Sequence, residues 1–167
     1  MEKEERLDIV DDEDRIVGSD TRKNIYKKGL DSHSRFVNIF VFNSRGELLV
    51  PKRSMNRRIF PGCFDFSCGE HVLSGETYDQ AAKRGVKEEL GLEGIELIEL
   101  GKLNLRDGVG CFTKVYKTIC DEKINNYDTD GIDKLYWFSL DEIKEMIKKN
   151  KEKFKHDFPI VLDRFFN

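Results

Sequence analysis

Glu76, Arg84, Glu88 and Glu89 stand in one short stretch, at spacings that could do chemistry. The stretch begins Gly69-Glu70-His71-Val72-Leu73-Ser74-Gly75-Glu76 and runs from Thr77 to Leu92. It reads as a polar loop feeding a helix that Gly91 stops. Glu88 and Glu89 lie three and four residues beyond Gly85, so the three positions share one region of the helical surface. At roughly 100° per residue, Tyr78, Ala82, Val86 and Leu90 make an apolar stripe with Ala81 at its edge, and Glu89 falls inside it. A carboxylate aimed at a core is costly unless a cation meets it, and that partner is either a divalent metal or Arg84. Bare Glu-Glu pairs on helices usually belong to a solvated face; here the apolar-side placement, the Gly-rich loop and the stop at Gly91 argue for a site.

The stretch resembles the Nudix box, whose family consensus is G-x5-E-x7-R-E-U-x-E-E-x-G-U, with U a bulky aliphatic. Glu76, Arg84, Val86, Glu88, Glu89, Gly91 and Leu92 fall in register. Two positions depart. The opening Gly is Glu70 here, with Gly69 just before it, and the Glu expected after Arg84 is Gly85. In many family members that Glu helps bind the metal or acts as general base. Gly inside a helix also costs about 1 kcal/mol relative to Ala.

The resemblance implies a metal-activated water that splits a diphosphate bond in a nucleoside diphosphate or related small molecule. Glu88 and Glu89 would carry Mg²⁺ (or Mn²⁺), with the Gly69 carbonyl as a further ligand, since clustered negative oxygens suit a hard cation. Arg84 would pair with Glu76 and hold the loop against the helix. With Gly85 in place of Glu, the candidates for the base are Glu70 and an acid from Asp128 to Asp130; relatives often supply a metal-binding Glu from that later loop, near Gly131 here. The expectation is a Mg-dependent hydrolase slowed by Gly85; the alternative is a binding protein of the same fold that holds a nucleotide or diphosphate without cleaving it.

The layout from Leu7 to Leu140 also looks like the branch containing the isopentenyl-diphosphate isomerases. Those enzymes use a box-loop Cys, several His ligands and a Glu on a later strand. Here Gly69 occupies the Cys position with Cys68 one place off, His71 falls at a ligand position, His33 is one residue out, and the later strand offers Cys111 and Thr113. Isomerase activity is therefore the third reading.

The elements that must position these residues follow from periodicity. Leu7–Val10 and Arg15–Ser19 alternate around Asp11-Asp12-Glu13-Asp14 and predict a hairpin with a solvated acidic turn. Thr21 caps a short helix through Lys28, completing an amino-terminal unit over 1–30. Strands are predicted at Phe36–Phe42, Glu47–Lys52 (a hairpin with the former), Phe64–Ser67, Ile95–Leu103 with a break at Gly101, Phe112–Cys120 and Leu135–Leu140. Asp121–Asp133 reads as a mobile surface loop. Helices follow Ser139 or Asp141 and run over Phe158–Phe166. Between strand and box, Lys52, Arg53, Arg57 and Arg58 put four cations within seven residues, matched to a diphosphate or to a solvated basic loop. Phe60, Phe64 and Trp137 are candidates for stacking on a ring, with core packing as the default.

A chain of 167 residues holds one domain, here 1–167 with the box loop and helix at 69–92. The fold class expected is α/β: a Nudix-type α/β/α sandwich with a mixed twisted sheet. A net charge of −3 argues against a dedicated nucleic-acid binder. No apolar run is long enough to span a membrane, the charged start is unlike a signal peptide, and the four cysteines lack zinc-like spacing, so a cytoplasmic protein with reduced thiols is expected.

Overall fold

Strand β3 explains the architecture. In the computed structural model, which describes residues 4–167, it spans Arg35–Phe42. Residues 1–3, the first part of the charged start, lie outside the described residues. Val37, Ile39 and Val41 point to one face of β3 and Phe40 and Phe42 to the other, and all five are buried. A strand apolar on both faces must be central and covered twice. Helix α2 (Tyr78–Leu90) covers the valine side through Ala81, Ala82, Val86 and Leu90. Helices α3 (Leu140–Asn150) and α4 (Phe158–Phe166) cover the phenylalanine side through Ile143, Phe158, Val161 and Leu162. The result is the expected α/β/α sandwich.

The sheet is mixed. β3 runs parallel to β7 (Phe112–Ile119) along its whole length, and β7 pairs with β6 (Ile98–Leu103). On its other side β3 is shared. Its first half pairs with β5 (Cys68–His71), while β4 (Leu48–Arg53) joins it only at Phe42↔Leu48 and then turns to β8 (Ile132–Phe138). The predicted β3–β4 hairpin is thus closed only at its base. A cleft opens where β4 and β5 part.

Several expectations change. Phe64–Ser67 is no strand; isolated bridges tie Phe64 to Lys52 and Phe154, and the strand begins at Cys68. Glu70 therefore sits on β5, a fixed element, and not in a loop. Strand β6 starts at Ile98, with a bulge before Gly101, where a Cβ would lie 3.1 Å from the Phe165 ring. The Asp121–Asp133 segment is tied down: Ile124 and Tyr127 pack on the α2 core, and the Asp128 N–H donates to the Glu89 carbonyl at 2.8 Å.

The amino-terminal hairpin, β1 (Arg6–Val10) and β2 (Ile16–Thr21), precedes a short helix α1 (Arg22–Lys27) capped by Thr21, whose side chain accepts from the Asn24 N–H at 3.2 Å. Its acidic turn is only partly solvated. Asp11 organises the turn by accepting from the Glu13 and Arg15 N–H groups. Asp14, at φ +62°, drives its carboxylate into the domain, where it is 5% exposed and accepts from Arg35 Nε at 2.6 Å, the Tyr78 hydroxyl at 2.8 Å and Lys102. Asp tolerates the left-handed conformation better than most residues. Burial alone would raise its pKa, but the hydrogen bonds from Lys102, Arg35 and Tyr78 hold it below the usual carboxylate range.

Asp14→Ala is expected to lower unfolding stability by about 2–3 kcal/mol at neutral pH. Because the folded pKa is depressed, this contribution is present above the unfolded value of about 3.9 and lost as pH falls through the folded one. Urea denaturation of both proteins should therefore show the deficit shrinking in that acid window, whereas a pH-independent deficit would point to packing alone.

Candidate active site

The loop from β5 to α2 takes its shape from one guanidinium. Arg84, on α2, donates from Nε to Glu76 Oε1 at 2.7 Å and from Nη2 to Glu76 Oε2 at 3.1 Å and to the His71 carbonyl at 2.8 Å. Its Nη1 lies 3.2 Å from Glu88 and 3.5 Å from Glu70. Glu76 also accepts from the Leu73 N–H at 2.9 Å. Burial would raise the Glu76 pKa, but these bonds lower it on balance. Outside the loop, Asp8 of β1 accepts from the Ser74 hydroxyl at 2.7 Å and the Gly75 N–H at 3.2 Å. Neither Glu76 nor Arg84 lines the cleft; they hold the wall that does.

Gly85 is where the helix meets β5. A Cβ built there would stand 2.7 Å from Glu70 Cγ, 3.3 Å from Glu70 Cβ and 3.0 Å from Cys68 Sγ. The side chain of Glu70 occupies the space that the missing glutamate leaves over the helix. Helix propensity alone made Gly85 look like a weakness; close packing of a strand carboxylate on the helix explains it.

Glu70 and Glu89 meet there as neighbouring carboxyls. Burial raises the pKa of both, that of Glu89 well above the usual range, with the charge of Glu70 adding to it. Two carboxyls pressed together disfavour ionisation of both, and a divalent cation between them would satisfy both with hard oxygen ligands. That donor chemistry fits the implied Mg²⁺ or Mn²⁺. Among the described residues, no three His, Cys, Asp or Glu side chains already form a metal cage. Glu88, 58% exposed and drawn to Arg84, stands at the rim of the cleft, and Gly69 lines it next to Glu70.

The cleft encloses about 490 Å³ and runs from these carboxylates to Phe36, Phe66, His71 and Lys155. Of the four predicted phosphate-binding cations it takes two. Arg53 lines it but is engaged, 2.8 Å from Asp65 and bonded to the Ile59 carbonyl at 2.9 Å. Arg57 lines it, bonded to the Gly131 carbonyl at 3.3 Å and 3.7 Å from Asp128. Lys52 lies opposite Lys134 in the β4–β8 ladder, and exposed Arg58 stays outside the lining. Asp128 reaches the cleft and Asp130 does not. Phe60, at φ +51°, borders the mouth, whereas Phe64 and Trp137 pack into the two cores.

Sequence reasoning gave no role to Lys155, Arg22 and Tyr26, which come from segments far from the box and carry no local motif. His71 is buried, bonded through Nε2 to the Tyr26 hydroxyl at 3.2 Å, and burial pushes its pKa down to about 3, so the ring is neutral. Cys68 is buried against Gly85 outside the cleft, and its thiol is pushed well up by burial and then by Glu89, so it offers no exposed acid of the isomerase kind.

Arg84→Met should therefore loosen the loop before it empties the cleft. A stability loss of about 3 kcal/mol is expected in chemical denaturation, because Glu76 would be left half-buried without its cation. Hydrogen exchange at the Leu73 and Glu76 amides should rise more than at β3; unchanged protection there would contradict the role given to Arg84.

Comparison with known proteins agrees with this fold. The NUDIX domain family matches residues 32–158. A protein of Nostoc sp., named an uncharacterised Nudix hydrolase, is 39% identical over 99% of this chain and 98% of its own length. Mouse isopentenyl-diphosphate Delta-isomerase 1 is 33% identical over 94% of this chain and 80% of its own. A crystal structure from Deinococcus radiodurans superposes with a TM-score of 0.89 at 30% identity, covering 98% of this chain and 100% of that one. On the box, the fold and these relatives together, the chain belongs to the Nudix family.

Proposed function

We propose that the protein is a Mg²⁺- or Mn²⁺-dependent Nudix hydrolase that cleaves a diphosphate bond in a nucleoside diphosphate or a related small molecule, with Glu70 as the carboxylate that replaces the box glutamate. The observation that carries this reading is the seating of Glu70 over Gly85 and against Glu89. The missing carboxylate has moved from the helix to the neighbouring strand, so the site keeps its acids while the sequence pattern loses one. Gly85 alone would favour a non-catalytic role; the seating of Glu70 favours the hydrolase.

Glu70, Glu89 and Glu88, with the Gly69 carbonyl, would hold the metal, which supplies an acidified water and neutralises charge on the leaving phosphate. Glu70 would be the group that takes up a proton, at a carboxylate oxygen. Its burial and its contacts with Glu89 and Arg84 fix the oxygen in place. Arg84 and Glu76 keep β5 and α2 at a constant distance. Arg57, facing the cleft from the basic loop, offers donors to a phosphate.

The test is phosphate or nucleotide release from a panel of nucleoside and isoprenoid diphosphates, with Mg²⁺ and with chelator. Native turnover should vanish with chelator, and Glu70→Gln should lower it by about 10² to 10⁴. Rearrangement of isopentenyl diphosphate without phosphate release would overturn the reading in favour of an isomerase.

The seating of Glu70 generates a second expectation. Gly85→Glu alone should slow the enzyme, because the new side chain collides with Glu70. The pair Glu70→Ala with Gly85→Glu should recover about tenfold or more over Glu70→Ala alone, in line with restoring a general base. Faster turnover in the single Gly85→Glu variant would mean that Glu70 does not fill the role.

A further inference from the structure

The cations lining the cleft are not equally free. Arg22 lies 3.1 Å from Glu5, Arg53 2.8 Å from Asp65 and Arg57 3.7 Å from Asp128. Lys155 lines the same cleft and, among the described residues, has no carboxylate within salt-bridge distance. Its ammonium instead sits 4.8 Å from the centroid of the Phe36 ring and 5.6 Å from that of Phe66. Ring faces attract a cation without cancelling its charge. The backbone below it is fixed: the Lys155 N–H donates to the Phe64 carbonyl and the Phe64 N–H to the Lys153 carbonyl, each at 2.8 Å. This lysine is held in place by its neighbours and left without a counter-ion.

A second unpartnered group borders the same ring. His71 packs edge-on to Phe36, centroids 5.0 Å apart, and its Nδ1 is buried without a hydrogen bond. In the tautomer whose Nε2 accepts from the Tyr26 hydroxyl, the ring proton stands on Nδ1 as a buried donor. Asp157 lines the cleft with Oδ1 unpartnered, and burial pushes its carboxyl toward the neutral form while Lys155 draws it the other way. An ammonium with no carboxylate within salt-bridge distance, beside a buried imidazole nitrogen without a hydrogen bond, suits an anionic ligand.

We propose that Lys155 is a phosphate-binding residue of the cleft, taking the phosphoryl group of a diphosphate that lies away from Glu70 and Glu89, with His71 as a supporting donor. This rests on the reading of the cleft as a diphosphate site. It moves the main phosphate contact from the basic loop, where Arg53 is already neutralised, to the segment just before α4. A substrate with only one phosphoryl group would leave either the carboxylate end or Lys155 without its partner, so the cleft favours diphosphates over monophosphates.

The test separates binding from hydrolysis. Inorganic diphosphate is titrated calorimetrically into the native protein, Lys155→Met, Lys155→Gln, Lys155→Arg and, as control, Lys148→Met on α3, all with chelator present. The expected result is a loss of about tenfold or more in affinity for Lys155→Met and Lys155→Gln, partial retention in Lys155→Arg, and native binding in the control. Two neutral variants and a melting curve for each keep a folding defect from passing as a binding defect. In turnover, KM should rise more than kcat falls. Native affinity for diphosphate in both neutral variants would overturn the proposal even if the enzyme is an active hydrolase. Lys155-dependent binding without turnover on any substrate would sustain it while overturning the hydrolase.

Discussion

The guanidinium of Arg84 is the constraint on which the site depends. It grips Glu76 with two bonds, takes the carbonyl at the end of β5, and draws in Glu88 and Glu70 from either side. One planar cation with donors fixed in a fork joins strand, loop and helix, which a flexible ammonium would not do. The spacing of Glu70, Gly85 and Glu89 is set by that junction. The hairpin strengthens it from outside, with Asp8 on the loop and Asp14 on Arg35 and Tyr78. Residues 4–30 thus act as a brace on the box as well as a wall of the cleft.

Given that junction, the carboxylates are placed by geometry more than by sequence position. β5 lies so close to α2 that a side chain at residue 85 and one at residue 70 compete for the same volume. Only one of the two can be a glutamate. This chain places it on the strand, where it reaches the same neighbour, Glu89. The cost of Gly in the helix is small beside the repulsion of a third buried carboxylate, and the capping box at Thr77 and Gln80 secures the start of the helix.

Much of this was legible in the sequence because it is local. The hairpin, the Thr21 and Ser139 caps, the two-faced strand β3 and the register of Glu76, Arg84, Glu88 and Glu89 depend on neighbours within a few residues. What escaped depends on contacts between distant segments. Asp14 looked like a turn residue until β3, β6 and α2 converged on it. Phe64–Ser67 alternates well enough for a strand, yet β3 has already given that stretch of its edge to β5. The Lys155–Phe36 and Tyr26–His71 contacts join segments far apart in the chain, and no spacing rule reaches across those separations. The basic loop shows the limit of composition. It offered four cations to a diphosphate or to solvent, and only the structure sets Lys52 opposite Lys134 and Arg53 against Asp65.

The central claim is that a strand glutamate does the work of a helix glutamate. The most direct measurement is a crystal structure with Mn²⁺, with the metal located by its anomalous scattering. The account predicts Mn²⁺ bound by carboxylate oxygens of both Glu70 and Glu89, with Arg84 still on Glu76 and Glu70 still over Gly85. Mn²⁺ held by Glu88 and Glu89 alone, with Glu70 swung away from Gly85, would contradict it.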